Sequence, residues 1–290
     1  MPTLKVLLLG GQGYIGSALG VHLQRCGFDV LSIDPGIRGT HRAFPNRQLR
    51  YQELSARELD SAQAVVLVGG DSTVSACSNA PFATFKNNVL GFADLVHKLR
   101  GQMFIYASSV SVYVHTNHEA NEQHSLPEPV TAYDYHKQSI EHYARLAYPN
   151  SYGLRFGTVA GPSPNLRAEL LLNGLVRSAI HDGYVSVSNA HCHRPILGIQ
   201  DLCRAVVAIL TTAVPPGRYN LASMNVRIGE LAELVARRFR VPLRETDGAT
   251  PYDIRVSTSL FRSAADFEFQ DSVDSIISAL ESHFLAGESS

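Results

Sequence analysis

The chain has 290 residues, of which 45% are hydrophobic and 18% are charged, and its formal net charge at pH 7 is −1. This length suits one large domain or one domain with a smaller lobe, and the composition is that of a globular protein with a sizeable core. A net charge so close to zero gives no general attraction to nucleic acid or to an anionic membrane, so we expect neither as a partner.

The four cysteines, Cys26, Cys77, Cys192 and Cys203, form neither a CxxC pair nor the spacing of a disulfide framework. A chain of this length does not depend on disulfides, so we expect reduced thiols in a cytoplasmic protein. No stretch approaches the roughly 18 apolar residues needed to span a bilayer. The apolar start of the chain leads into glycines without a cleavage-site pattern, so we expect a soluble protein without a signal peptide.

Predicted strands and helices alternate along the first half of the chain. Continuous apolar runs predict buried strands, and apolar residues at helical spacing predict the helices between them. The strands are expected at 4–9, 28–34, 64–70 and 103–109, and the helices at 16–26, 82–99 and 132–147, followed by the segment 151–162. This alternation predicts an α/β fold of the Rossmann type, with a doubly wound parallel sheet covered by helices on both faces.

The pattern changes after Pro164. Helices are expected at 165–183, 199–213, 227–239 and 271–285, with short strands at 184–188 and 217–223. We assign residues 1–162 to the Rossmann-type domain and expect residues 194–222 to return to it. Residues 163–193 and 223–290 are assigned to a smaller C-terminal lobe.

A glycine-rich turn follows the first predicted strand. Gly10, Gly13 and Gly16 recur at every third position, a pattern that permits a tight turn, close approach of a pyrophosphate and packing of the helix on the strand. The helix that begins near Tyr14 points its free N–H groups at the same place. Asp34 ends the next strand and can accept hydrogen bonds from ribose hydroxyls, which favours NAD over NADP; alternatively, it only opens an Asp-Pro-Gly turn.

Tyr133 and Lys137 are four residues apart in a predicted helix and so share one face. An ammonium group there is expected to favour the phenolate and to lower the tyrosine pKa from its usual value of about 10. A tyrosine with such a pKa can exchange a proton with a substrate hydroxyl. Ser109, at the end of a predicted strand, adds a hydroxyl that can both donate and accept a hydrogen bond.

Three segments together resemble one family. "GGQGYIG" (10–16), "SSVSVY" (108–113) and "YDYHK" (133–137) are similar, in this order, to the TGGxGFIG, SSxxVY and YxxxK segments of the extended short-chain dehydrogenases/reductases, which include nucleotide-sugar epimerases and dehydratases. The resemblance runs from residue 4 to about residue 222 and more loosely to the end of the chain. It implies Ser109, Tyr133 and Lys137 as the catalytic residues and NAD as the cofactor.

The same resemblance implies two sets of binding residues. The NAD contacts are Gly10, Gly13, Tyr14, Ile15, Gly16, Asp34, Gly69, Gly70, Asn88, Tyr133 and Lys137. The substrate contacts are Ser109, Ser111, Thr158, Asn173, Arg194 and Arg255. His191, Cys192 and His193 offer metal-ligand side chains, but no second cluster at a suitable spacing accompanies them, so no metal is expected.

The implied reaction is NAD-dependent epimerisation of a nucleotide-activated sugar at carbon 4, through a transient keto sugar. The 4,6-dehydratases of the family carry an Asp-Glu pair where this chain has Val110 and Ser111, which argues against that reaction. An NAD(P)H-dependent 4-ketoreductase of a nucleotide deoxysugar stays open, as does a non-catalytic NAD-sensing protein. The family resemblance also implies a homodimer formed through the helix that bears Tyr133.

Overall fold

The computed structural model describes residues 4–116, 118–246, 248 and 252–287. Within these residues the strands, in chain order, are β1 (Lys5–Leu9), β2 (Asp29–Ile33), β3 (Asn46–Arg47), β4 (Ala64–Leu67), β5 (Met103–Ser109), β6 (Ser151–Phe156), β7 (Thr158–Ala160), β8 (Val185–Val187), β9 (His193–Gly198), β10 (Gly217–Leu221), β11 (Met224–Arg227) and β12 (Leu243–Glu245).

The helices of the described residues are α1 (Tyr14–Arg25), α2 (Ala56–Leu59), α3 (Val74–Asn79), α4 (Pro81–Phe85), α5 (Gly91–Lys98), α6 (Ala132–Ala147), α7 (Leu171–His181), α8 (Ile199–Thr211), α9 (Ile228–Phe239), α10 (Ser259–Ala265) and α11 (Val273–Gly287). A π-helical turn, Lys86–Leu90, joins α4 to α5, so the helix predicted at 82–99 is observed with one irregular turn. None of the described helices is both long and apolar enough to cross a membrane.

A seven-stranded sheet forms the centre of the fold. Its strand order is β10-β6-β5-β4-β1-β2-β3, and each neighbouring pair is parallel. The prediction of a doubly wound parallel sheet is therefore confirmed. The strand order reverses between β1 and β4, and ligands of such sheets bind beyond the carboxyl ends of the strands at this point.

Helices cover both faces of the central sheet. On one face α1 and α8 bury Leu19, Leu23 and Val206, and on the other face α5 and α6 bury Leu95 and Ile140. Strands buried on both faces explain the continuous apolar runs in the sequence. Because β10 pairs with β6 and α8 packs on α1, the segment from α8 to β10 lies on this sheet.

A further hydrophobic core lies in the C-terminal part of the chain, where α7, α9 and α11 pack around β8. Strands β7, β9 and β11 form a separate three-stranded sheet, and β12 pairs with β8. Gly157 divides the segment 151–162 between β6 of the central sheet and β7 of the second sheet. A Cβ atom at Gly157 would lie 2.7 Å from the carbonyl oxygen of Pro195, so the chain can only pass here without a side chain.

The helix predicted at 165–183 is wrong at its start, because α7 begins at Leu171. The preceding residues are held outside a helix by contacts with the glycine-rich loop. The Asn165 side chain donates hydrogen bonds to the carbonyl oxygens of Gln12 and Arg38, at 2.7 and 2.9 Å. Tertiary hydrogen bonds therefore override the local helical pattern.

A fully buried ion pair connects α6 to β6. Arg155 donates from Nε and Nη2 to the two carboxylate oxygens of Glu141, at 2.9 and 2.6 Å, and both side chains are inaccessible to solvent. Ser108 Oγ donates to the same carboxylate at 2.5 Å, and Arg155 Nη1 donates to Tyr113 Oη at 2.6 Å. Each charge is thus matched by several hydrogen bonds, as burial of an ion pair requires.

Replacing Arg155 with Met is expected to lower the free energy of unfolding by about 3–5 kcal/mol, because the buried Glu141 carboxylate would lose both hydrogen bonds from Arg155 and keep only the longer ion pair with Arg218, at 3.8 Å, as its charged contact. Urea unfolding would measure the loss. Arg145→Met changes an exposed arginine at the C-terminal end of α6 and should shift stability by less than about 0.5 kcal/mol. The double variant Arg155→Met with Glu141→Met should recover most of the loss; equal losses in the single and double variants would contradict the role of the buried Glu141 charge.

Candidate active site

A continuous cleft lies at the carboxyl ends of β1, β4 and β5. It consists of two cavities, the first along the glycine-rich loop and Asp34, the second along Ser109, Tyr133 and Lys137. Both cavities share walls formed by Tyr14, Ile15, Gly69, Gly70, Asp71, Ser72 and Arg167. The predicted loop and the predicted catalytic residues therefore face one cleft.

Each of the three glycines in the loop serves a different structural purpose. Gly10 adopts φ +91°, and a Cβ atom there would lie 2.4 Å from the backbone of Gly69. A Cβ atom at Gly16 would lie 2.0 Å from the carbonyl oxygen of Gly10, so this glycine lets α1 pack against the loop. A Cβ atom at Gly13 would make only an ordinary contact, 3.5 Å from the carbonyl oxygen of Gly10, and Gly13 lines the first cavity, where a phosphate can approach the bare backbone at the start of α1.

Asp34 lines the first cavity and also organises the loops around it. Its carboxylate accepts hydrogen bonds from the backbone N–H groups of Gln12, at 3.1 Å, and Gly36, at 2.7 Å. Asp34 therefore does open the turn, and this role leaves its carboxylate able to contact a ligand as well. A carboxylate has about four acceptor positions, so it can still accept hydrogen bonds from ribose hydroxyls.

Asn88 shapes the wall between the two cavities. Its amide accepts a hydrogen bond from Asp71 N–H at 2.8 Å and donates one to the carbonyl oxygen of Asp71 at 2.9 Å. Gly70 adopts φ +141°, and a Cβ atom there would lie 2.9 Å from Asn88 Oδ1. Asn88 thus holds the backbone after β4 against the cleft and lines the second cavity itself.

The three predicted catalytic residues meet in the second cavity. Ser109 ends β5, while Tyr133 and Lys137 lie on α6, whose first turn is capped by Thr131 and Asp134. The Ser109 and Tyr133 side chains line the same cavity, close enough for the Ser109 hydroxyl to lower the pKa of Tyr133. Lys137 Nζ lies 5.6 Å from the centroid of the Tyr133 ring.

Burial controls the protonation of this group. It raises the pKa of Tyr133 to about 12, and the Ser109 hydroxyl opposes this rise. Burial also lowers the pKa of Lys137 to about 8, against the attraction of the Glu141 carboxylate. The prediction that Lys137 lowers the Tyr133 pKa is wrong for this structure, because desolvation outweighs it. The Lys137 ammonium instead donates to the carbonyl oxygen of Ala107 at 2.8 Å.

Ser111, Thr158 and Arg194, all predicted substrate contacts, also line the second cavity. Ser111 is buried, and its Oγ has no hydrogen-bond partner within the described residues. This hydroxyl can therefore still donate and accept a hydrogen bond at the cavity wall. The Arg194 guanidinium lies 6.0 Å from the ring centroid of Tyr252, which lines the same wall.

Two predicted substrate contacts lie outside the cavity walls. Asn173 is fully buried, accepts a hydrogen bond from Gly161 N–H at 3.0 Å and donates to Tyr14 Oη and the carbonyl oxygen of Arg167, at 3.2 and 3.0 Å. Its predicted role is therefore corrected: the amide holds the segment before α7 in place. Arg255 is half-buried beyond Ile254, so its contact with a ligand stays a prediction.

The structure adds two cleft residues that the sequence reasoning missed. Tyr252 donates its hydroxyl proton to the Asp134 carboxylate, at 2.8 and 3.0 Å from its oxygens, and so joins the C-terminal part of the chain to the residue next to Tyr133. Arg167 lines both cavities. No motif marks either residue, because both reach the cleft through tertiary contacts. No group of three or more His, Cys, Asp or Glu side chains within the described ranges could hold a metal ion.

Comparison with known proteins gives one family and several relatives. A sequence model described as "NAD dependent epimerase/dehydratase family" matches residues 6–222. The chain is 25% identical over 241 residues to Protein CapI of Staphylococcus aureus, covering 74% of this chain and 72% of that protein. It is 24% identical over 239 residues to UDP-glucuronate 4-epimerase 6 of Arabidopsis thaliana, covering 72% of this chain but only about half, 52%, of the plant protein.

Solved structures show the same fold over nearly the whole chain. An NAD-dependent NDP-hexosamine 5,6-dehydratase involved in tunicamycin biosynthesis, TunA, has a TM-score of 0.88 at 17% identity, with 98% of both chains covered. A UDP-glucuronic acid 4-epimerase from Bacillus cereus, in complex with UDP-glucuronic acid and NAD, has a TM-score of 0.85 at 19% identity, with 98% of this chain and 99% of that one covered.

The depressed pKa of Lys137 predicts a pH-dependent contribution to stability. Between pH 8 and 10.5 the folded protein has released a proton that the unfolded chain still binds, so stability rises with pH through this window. Lys137→Met should remove this rise, and the wild type should gain stability relative to the variant from pH 8 to 10.5 in urea unfolding experiments. Lys86→Met, at an exposed lysine, is the control; parallel pH profiles for wild type and Lys137→Met would contradict the shift.

Proposed function

The chain belongs to the NAD dependent epimerase/dehydratase family, and on this basis we propose that it epimerises carbon 4 of a nucleotide-activated sugar through a transient keto sugar. The observation that carries the proposal is the meeting of Ser109, Tyr133 and Lys137 in one cavity that also contains the Ser111 hydroxyl, which has no hydrogen-bond partner within the described residues. Two proton-exchanging hydroxyls and a third polar contact suit a substrate with several hydroxyl groups.

The residues of the first cavity fit NAD. The open backbone at Gly13 suits the pyrophosphate, and the free acceptor positions of Asp34 suit the adenosine ribose. When bound, NAD supplies an acceptor and donor of hydride, which no amino acid side chain provides. Gly69 and Gly70 add no side chains of their own to the wall that the two cavities share.

Residues of this chain would transfer the proton of the sugar 4-hydroxyl and bind the reacting oxygen. As its phenolate, Tyr133 would take the proton from the sugar 4-hydroxyl, and the phenol so formed would return that proton to the oxygen after the keto sugar has turned over. Ser109 holds the reacting oxygen in both states, because its hydroxyl accepts from an alcohol and donates to a ketone. The charged form of Lys137 would stabilise the phenolate of Tyr133, which exists before the proton is taken and again after it has been returned.

The cavity wall argues against 4,6-dehydration. Val110 and Ser111 line the second cavity at the positions where a dehydratase of the family would place its acid pair, and neither side chain is a carboxylic acid. A 4-ketoreductase would use the same Ser109, Tyr133 and Lys137, so the difference lies in the fate of the cofactor. Epimerisation returns NAD to its starting state at each turnover, whereas ketoreduction consumes NADH.

Tyr133→Phe is expected to reduce epimerisation by about 10²–10⁴-fold, because the variant lacks the proton-exchanging hydroxyl. The measurement is the interconversion of UDP-glucose and UDP-galactose, or of UDP-glucuronate and UDP-galacturonate, with retention of bound NAD as a check on folding. Tyr135→Phe, at an exposed tyrosine of the same helix, should leave the rate unchanged.

Two results would overturn parts of this proposal. Strict consumption of added NADH with a 4-keto nucleotide sugar would replace the epimerase with the ketoreductase. Unchanged biological activity of Tyr133→Phe, with NAD binding intact, would favour a non-catalytic NAD-sensing protein.

We also propose that the protein is a homodimer formed through the layer of α4, α5 and α6. Large apolar side chains are exposed on this layer, with Phe82 74% and Leu146 73% accessible. Leu90, Tyr135 and Tyr143 extend the exposed apolar surface. A second copy related by a two-fold axis would cover the same residues on both chains, and covering an exposed apolar patch of this kind is favourable.

Leu146→Glu is expected to shift the protein from dimer to monomer, because each interface would then bury a carboxylate at a contact that is apolar in the native protein. Sedimentation equilibrium would measure the change. Leu260→Glu, at an exposed leucine on α10, is the matched control. A wild-type protein that stays monomeric, or a dimer that survives Leu146→Glu unchanged, would contradict this interface.

A further inference from the structure

The segment 161–170, here named the strap, lies across the glycine-rich loop instead of forming the predicted helix. Ser163 Oγ donates to the carbonyl oxygen of Tyr14 at 2.6 Å, and Asn165 Nδ2 donates to that of Gln12 at 2.7 Å. Tyr14 Oη in turn donates to the carbonyl oxygen of Gly161 at 2.8 Å. These contacts fix both the start and the middle of the strap on the loop and α1.

Arg167 of the strap stands where the two cavities join. Its side chain is only 15% exposed and lines both cavities. Nη1 donates to Ser72 Oγ at 3.0 Å, across the cleft on the loop after β4, and Nε donates to Glu169 Oε1 at 2.7 Å. The guanidinium is therefore held over the middle of the cleft by contacts at two of its three nitrogens.

The surroundings of Arg167 suit an anion with several oxygens. Gly13 and Gly70 line the first cavity together with Arg167, and neither adds a side chain to it. Glu169 is 61% exposed, so its pairing with Arg167 is a surface contact of small energy. Asp71 lines the same cavity, and its Oδ2 is already engaged by Asn87 Nδ2 at 2.9 Å. An arginine has five N–H donors in a fixed fork that matches phosphate oxygens, and two of these suffice for Ser72 and Glu169.

We propose that Arg167 binds a diphosphate at the junction of the two cavities, and that the strap exists to present this arginine. The inference rests on the proposed function for the ligands concerned, since both NAD and a nucleotide sugar carry a diphosphate. The pyrophosphate of NAD and the diphosphate of the sugar nucleotide share the chemistry that Arg167 recognises. The experiment has to separate these two sources.

The first measurement is the release of NAD from the NAD-loaded protein, followed after dilution into buffer. Arg167→Gln should speed release at least about tenfold if the NAD pyrophosphate is the ligand, since a hydrogen bond to a charged group contributes about 1.5–3 kcal/mol. The second measurement is calorimetric binding of inorganic pyrophosphate to the same NAD-loaded protein. If Arg167→Gln weakens the binding of pyrophosphate but leaves NAD release unchanged, Arg167 binds the diphosphate of the sugar nucleotide.

Three variants control for the charge and for the strap. Arg177→Gln removes an exposed arginine from α7 and should change neither measurement. Ser72→Ala removes the contact across the cleft but keeps the guanidinium, so it should have a smaller effect than Arg167→Gln. Arg167→Lys keeps the charge without the fork and should restore part of the affinity. The effect of Arg167→Gln should also shrink as the salt concentration rises.

Two outcomes would overturn this proposal. One is a change of less than about twofold in both measurements, well below the effect of a charged hydrogen bond. The other is equal acceleration of NAD release by Ser72→Ala and Arg167→Gln, which would assign the effect to the strap contact alone. Failure of the unmodified protein to bind NAD would overturn the proposed function instead, and binding of pyrophosphate to the NAD-free protein and its Arg167→Gln variant would then decide the role of Arg167.

Discussion

The buried ion pair between Glu141 and Arg155 holds α6, the helix that carries the proposed catalytic residues Tyr133 and Lys137. Tyr133, Lys137 and Glu141 follow one another at intervals of four residues and so share one face of α6. Because both carboxylate oxygens of Glu141 are bound by Arg155 of β6, the helix can neither rotate nor slide without exposing two charges to a dry interior. The place of the Tyr133 hydroxyl beside Ser109 follows from this anchor.

A second constraint is the contact between the loops after β1 and β4. Gly10 and Gly69 approach so closely that neither position has room for a side chain. This contact brings the bare backbone of the two loops to one side of the cleft, at the point where the strand order of the central sheet reverses. A long ligand can therefore lie from Asp34 to Tyr133 without crossing a side chain at Gly69 or Gly70.

The C-terminal part of the chain contributes side chains to the wall of this cleft. Arg194 and Tyr252 bring an arginine and an aromatic ring to the second cavity, and Tyr252 is hydrogen-bonded to the capping residue of α6. The strap brings Arg167 to the junction of the cavities. The position of α6 is thus linked both to the central sheet, through Arg155, and to the substrate side, through Tyr252.

The sequence by itself determined the class of fold, the glycine-rich loop and the group of Ser109, Tyr133 and Lys137. These features depend on local spacing: apolar runs for buried strands, every-third glycines for the turn, and a four-residue interval for one helix face. Only the tertiary structure decided the start of α7, the role of Asn173 and the pKa of Tyr133. Each depends on contacts between segments far apart in the chain, or on the amount of water that those contacts exclude, and neither leaves a periodic signal in the sequence.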